Sequence, residues 1–84
     1  MDKLQELLTI TMEECGELIQ ECSKSIRKEH YYNNKELTDE IGDVLCMIEL
    51  LKSNELVNEH ELNRRITLKK LKLKKWSSLV CNHE

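Results

Sequence analysis

Apolar residues recur at three- and four-residue steps along three stretches of the chain, which is the period of an amphipathic helix. The first stretch, roughly Asp2 to Glu29, carries Leu4, Leu7, Leu8, Thr11, Cys15, Leu18, Ile19, Cys22 and Ile26 on its apolar stripe. Asp2 suits an N-cap or first-turn acid, and Lys24, Arg27 and Lys28 suit the negative end of the helix dipole. The second stretch, roughly Glu36 to Ser53, carries Leu37, Ile41, Val44, Leu45, Ile48 and Leu51. The third, roughly Glu61 to Leu79, presents Leu62, Ile66, Leu73, Trp76 and Val80 on one face. Between the first two lies Glu29-His30-Tyr31-Tyr32-Asn33-Asn34-Lys35, which has no period and holds an Asn pair that signals a turn. Residues 54–60 form a short second connector.

Composition narrows the fold class to all-α. The chain has 84 residues, no Pro and two Gly, so a turn-rich β sandwich or barrel is excluded and one domain, 1–84, is expected. Both glycines, Gly16 and Gly42, fall inside helices, at a cost of about 1 kcal/mol each relative to Ala. Close helix approach at those two points is the expected compensation. Three helices of this length enclose only part of a core, so a homodimer or homotetramer is expected. No apolar run approaches the ~18 residues that span a bilayer, and Met1-Asp2-Lys3-Leu4 lacks a signal-peptide pattern. The four cysteines include no C-x-x-C pair. Cys15, Cys22 and Cys46 fall in apolar helical patterns and are expected as buried thiols in a reducing cytoplasm.

Charge is divided along the chain. Residues 1–60 carry 14 acids and 6 bases, a sum of −8, whereas residues 61–84 carry 2 acids and 7 bases, a sum of +5. A basic tail fits nucleic acid, but it also fits cations that meet carboxylates around a metal and a phosphate. Spacing favours the second reading. At about 100° per residue, Glu40 falls inside the apolar sector of the second helix and Asp43 at its border. Glu14 and Glu17 border the stripe of the first helix one turn apart, while Glu13 points away. A single acid at such an edge is commonly a solvated one. Two facing i, i+3 pairs would repel strongly without a cation, and hard oxygen ligands suit Mg²⁺, or Mn²⁺. On the third helix Arg65, Lys69 and Lys72 share a side with apolar residues, whereas Arg64, Lys70 and Lys74 lie elsewhere. Cations in that position suit a triphosphate, against the plainer alternative of stems that lie over apolar surface with their heads in water.

The two acidic clusters have a familiar form. Glu13-Glu14-Cys15-Gly16-Glu17, followed after 22 residues by Glu40-Ile41-Gly42-Asp43, resembles the EExxE…ExxD signature of the MazG-like all-α nucleoside triphosphate pyrophosphohydrolases. Ser23-Lys24 with Arg27, and the run Lys69-Lys70-Leu71-Lys72-Leu73-Lys74-Lys75-Trp76, are similar to small phage-type members. The resemblance implies a helical bundle built from two or more subunits. It implies Mg²⁺ held by Glu14, Glu17, Glu40 and Asp43, and cleavage of a nucleoside triphosphate between its α and β phosphates. Glu14 or Glu17 would then orient or deprotonate the attacking water, and Lys24, Arg65, Lys69 and Lys72 would bind the substrate phosphates. The chain departs from the family in starting almost at the first motif, and in having Glu36 where many members have Lys. No base-binding residue is assigned, although Tyr31, Tyr32 and Asn33 in the first connector are of suitable types. Within the same acidic logic stand phosphoribosyl-ATP pyrophosphohydrolase and dimeric dUTPase. Outside it stands a non-enzymatic helical module that binds nucleic acid or a partner. A di-iron bundle would want Glu-x-x-His pairs, which are missing here.

Overall fold

The computed structural model describes residues 1–79. Three helices follow one another, α1 (Lys3–Lys28), α2 (Lys35–Ser53) and α3 (Glu59–Trp76), with no strand among the described residues. The fold is all-α, as the periodicity requires. The chain divides into two units, Met1–Asn54 and the part from Glu55 onward. Val80, which the periodicity assigns to the third stripe, lies outside the described residues, as do Cys81 and His83.

Side-chain caps fix where each helix begins. Asp2 forms a full capping box: its carboxylate accepts from the Gln5 N–H at 2.8 Å, and the Gln5 side chain accepts from the Asp2 N–H at 3.1 Å. Asn34 caps α2 by accepting from the Leu37 N–H, and Asn58 caps α3 by accepting from the Glu61 N–H. The Asn58 cap starts α3 at Glu59, two residues before the position read from apolar spacing. Its other end also comes early: Ser77 turns to an extended conformation, so the helix stops at Trp76 rather than Leu79. At the end of α1, Glu29 takes the left-handed conformation (φ 52°), and the His30 N–H donates back to the Ser25 carbonyl.

Within the first unit α1 and α2 form an antiparallel hairpin. On α1 the half-buried or buried positions include Leu7, Thr11, Glu14, Leu18, Glu21 and Ser25, and on α2 Leu37, Glu40, Val44, Met47 and Leu51. Both series run at alternating three- and four-residue steps, the spacing of a coiled-coil seam. Met47, 6% exposed, is the sole buried apolar side chain among the described residues. A second stripe, displaced by one residue along α1, runs Leu8, Met12, Cys15, Ile19, Cys22 and Ile26 at the same spacing. It is open, with Met12 68%, Ile19 70% and Ile26 66% exposed. This corrects the expectation of buried thiols. Cys15, Cys22 and Cys46 are free but exposed, because α1 turns its first two cysteines away from α2. The expected close approach at the glycines is also absent: a Cβ at Gly16 or Gly42 would meet nothing within 4 Å. On α3 no residue is buried, and Ile66 and Trp76 of the expected stripe are exposed. The Lys75 ammonium sits 5.4 Å from the Trp76 ring centre.

Candidate metal centre

The seam between α1 and α2 is apolar towards the end of α2, where Met47 and Leu51 lie, acidic in the middle and polar at the turn, where Ser25 and Asn34 are buried. Leu18 and Val44 are half-buried in the middle stretch, and the same three- and four-residue steps bring Glu14, Glu21 and Glu40 inward. One carboxylate oxygen from each of Glu14, Glu40 and Asp43 lies within 4.8 Å of the other two. Glu14 and Glu40 are half-buried and Asp43 is exposed, so the cluster opens to solvent on one side.

These groups crowd one another electrostatically. The Glu14 carboxyl is held above its ordinary value, first by desolvation, then by the neighbouring charges of Asp43, Glu17 and Glu13, with a hydrogen bond to Asp43 adding to the effect. Glu40 is raised too, again first by desolvation, then by Glu17, Asp43, Glu14 and Glu21. Glu40 Oε2 is buried and has no hydrogen-bond partner among the described residues. A buried carboxylate oxygen without a donor is costly unless a cation satisfies it. Three or more oxygen donors, one orphaned, on two rigid helices fit a hard divalent cation of the Mg²⁺ or Mn²⁺ type.

Of the four carboxylates expected from the sequence, three come together and the fourth stands beside them. Glu17 is exposed and outside the triad, although its charge acts on both Glu14 and Glu40. Glu21 was not anticipated. It is half-buried, faces the seam and adds its charge at Glu40, and the helical angle that selected Glu14 would have selected it as well. Lys24 lies one turn further along α1 and pairs with Glu21 at 3.2 Å. Arg65, Lys69 and Lys72 belong to α3 in the second unit and are exposed, whereas Lys74, expected off their face, is half-buried. Tyr31 and Tyr32 are exposed in the connector.

The polar pair Ser25 and Asn34 was also missed, each being 6% exposed. The Asn34 amide donates to Ser25 Oγ at 2.8 Å and to the His30 carbonyl at 2.9 Å, while its own oxygen caps α2. Ser25 Oγ in turn donates to the Glu21 carbonyl at 2.8 Å. The Asn pair signalled a turn, but nothing in the spacing signalled that its second member is buried.

A helical hairpin with an acidic cluster in its seam and one orphaned carboxylate oxygen defines a class, the all-α proteins whose paired helices carry a cluster that could hold a metal ion. The family is more specific. The model of the MazG nucleotide pyrophosphohydrolase domain matches residues 2–72, and the chain belongs to that family. No curated protein and no solved structure gives a significant match.

Proposed function

We propose that this protein hydrolyses nucleoside or deoxynucleoside triphosphates to the monophosphate and pyrophosphate. Its family supports nucleotide pyrophosphohydrolase activity. The observation that carries the reading at this site is Glu40 Oε2, buried and without a donor beside the Glu14 and Asp43 carboxylates. Glu14, Glu40 and Asp43, with Glu17 at the rim, would hold Mg²⁺ or Mn²⁺. Such an ion, when bound, polarises phosphoryl oxygens and lowers the pKa of a water. Glu14 or Glu17 would orient the attacking water or accept its proton. Lys24, and on α3 Arg65, Lys69 and Lys72, neutralise negative charge on the substrate phosphates.

We also infer that the chain works as a homodimer or homotetramer. One buried apolar residue is a poor core, and the open stripe Leu8, Met12, Cys15, Ile19, Cys22 and Ile26 has the spacing that a second copy of the hairpin would match. No described helix is long and apolar enough to cross a membrane.

The test is a panel of the common NTPs and dNTPs, with dUTP and phosphoribosyl-ATP included, assayed with and without Mg²⁺. Metal-dependent release of pyrophosphate and a monophosphate is expected, falling at least ~10²-fold in Glu40→Gln. Orthophosphate with a diphosphate as products would overturn the bond assignment, and undiminished turnover in Glu40→Gln would overturn the site.

A further inference from the structure

One whole side of the hairpin is uncovered. On α1 the open stripe is Leu8, Met12, Cys15, Ile19, Cys22 and Ile26, all exposed, each one residue beyond a position of the inner seam. On α2 the positions one beyond the inner seam include Thr38, Ile41 and Leu45, which are exposed, and Ile48, which is half-buried. One residue turns a helix by about 100°, and the two helices run in opposite directions, so both shifts lead to the same side of the hairpin. Glu17 and Asp43 lie about 180° from these stripes, so the acidic cluster opens on the opposite side. The spacing of the uncovered side is symmetric. The α1 stripe advances by 4, 3, 4, 3 and 4 residues, the same in either direction about Glu17. The α2 stripe advances by 3, 4 and 3, the same in either direction about Asp43. The Ser25–Asn34 bond, the action of Glu21 on Glu40 and that of Asp43 on Glu14 put Glu17 roughly level with residues 40–44. A single two-fold axis across the helices can therefore serve both stripes, laying α1 antiparallel on the α1 of a second copy and α2 on its α2.

Volume and charge favour the same alignment. In it Leu8 meets the partner's Ile26, Met12 the partner's Cys22 and Cys15 the partner's Ile19, so each small thiol faces a larger side chain. A parallel, in-register alignment stacks Cys15 on Cys15 and Cys22 on Cys22 and leaves voids at both. Antiparallel helices also bring Lys28 level with the partner's Glu6 and set the dipoles head to tail, whereas parallel ones set Glu6 beside Glu6 and Lys28 beside Lys28. Pairing α1 with the partner's α2 leaves much of the face bare, since the α1 stripe is about 27 Å long and Ile41 to Ile48 only about 11 Å. We infer that a second copy of this chain docks antiparallel on this face, with the two-fold axis level with Glu17 and Asp43. The two acidic clusters of the pair then open on opposite outer sides. Cys15 and Cys22 become buried thiols, while Cys46, which lies off both stripes of α2, stays open. This rests on the reading of the chain as a homo-oligomer and gives that reading a direction and a register, and its test does not depend on nucleotide turnover.

The experiment has two arms, both on the full chain. In the first, the unaltered protein is treated with iodoacetamide at a concentration where sedimentation equilibrium shows association, and peptide mass spectrometry assigns the alkylated thiols. Cys15 and Cys22 should react at least about tenfold more slowly than Cys46, because access to them requires the pair to open. In the second, Cys15→Ser, Cys46→Ser and Cys81→Ser leave Cys22 as the sole thiol, and Met12→Cys adds one opposite it in the antiparallel pair. Positions 12 and 22 of one helix are about 15 Å apart, too far for a disulfide within the chain. Copper phenanthroline, which takes two electrons from each thiol pair as two protons leave, should convert the Met12→Cys protein to covalent dimers on non-reducing gels. The protein with Cys22 alone should stay uncross-linked. Dimers from Cys22 alone would mean parallel pairing, and none from the Met12→Cys protein would mean another face or register; either overturns the proposal. The first arm uses no variant, so a substitution that fails to fold does not spare it. An associated protein whose Cys15 and Cys22 react as fast as Cys46 refutes this face and leaves the homo-oligomer reading standing, whereas a monomer refutes both.

Discussion

Replacing Asn34 by Ala should be among the most damaging single changes in the first unit, although it removes no apolar group. Three interactions go with the side chain. The cap on the Leu37 N–H contributes about 1 kcal/mol. The two amide bonds, to Ser25 Oγ and to the His30 carbonyl, contribute about 1 kcal/mol each. The sum, about 3 kcal/mol, stands against a total of roughly 4–13 kcal/mol for a chain of 84 residues at ~0.05–0.15 kcal/mol per residue. Asn34→Ser keeps a capping oxygen and should cost about half as much. Asn58→Ala removes a cap alone and should cost about 1 kcal/mol. Urea unfolding followed by far-ultraviolet circular dichroism would order the three variants. A double-mutant cycle with Ser25→Ala would isolate the buried bond. If Asn34→Ala unfolded within about 0.5 kcal/mol of wild type, the pair would be an incidental contact and the account of the turn would be wrong.

Three further outcomes follow from the hairpin. Glu14 and Glu40 are raised above the ordinary carboxylate range, so the native state binds their protons more tightly than the unfolded state does. Their contribution to stability is therefore full below the unfolded value and is lost as pH rises through the raised one. Metal-free wild type, relative to Glu40→Gln, should lose stability across that window on going to neutral pH, and Mg²⁺ should reverse the loss; parallel curves for the two proteins would contradict it. Gly42→Ala should raise stability by up to about 1 kcal/mol, and the unfolding midpoint with it, since the space beside it is open; a loss would mean that a partner or ligand fills that space. Ile19→Lys on the open stripe should shift sedimentation equilibrium towards the 10.0 kDa monomer, and an unchanged mass would show that another face makes the contact.

The helices were legible because their apolar period is strong and their caps are of the usual types. Asp2 was readable as a cap, whereas Asn58 was hidden in a polar connector that the apolar pattern could not punctuate. On α1 the sequence shows one broad apolar band, which the structure resolves into an inner seam and an open stripe. Leu7 and Leu18 face α2, and Leu8 and Ile19 face outward. Periodicity could not separate them, since both series carry apolar residues at the same spacing and only packing chooses the inner one. The same ambiguity misplaced Cys15 and Cys22. The carboxylates were legible because acids inside an apolar sector demand an explanation. Glu21 was as visible as Glu14 but fell outside the ExxE spacing, and the buried pair at the turn depends on an Asn that no periodic argument detects.

The Asn34–Ser25 bond has a consequence at a distance from itself. Two helices joined along a seam of Leu, Val and Met can slide past each other at modest cost, because such side chains exchange places readily. A slide of one turn is about 5.4 Å, enough to separate Glu40 from Glu14 altogether. The hydroxyl–amide contact admits only one alignment, since a displaced Asn34 would be left buried without acceptors. It therefore acts as a vernier: set at the turn, it is read about 16 Å away along α1, where ligand positions tolerate only about 0.5 Å of error. Grafting the connector of another helical hairpin between α1 and α2 would leave every carboxylate of the two helices in place and still detune the site they form.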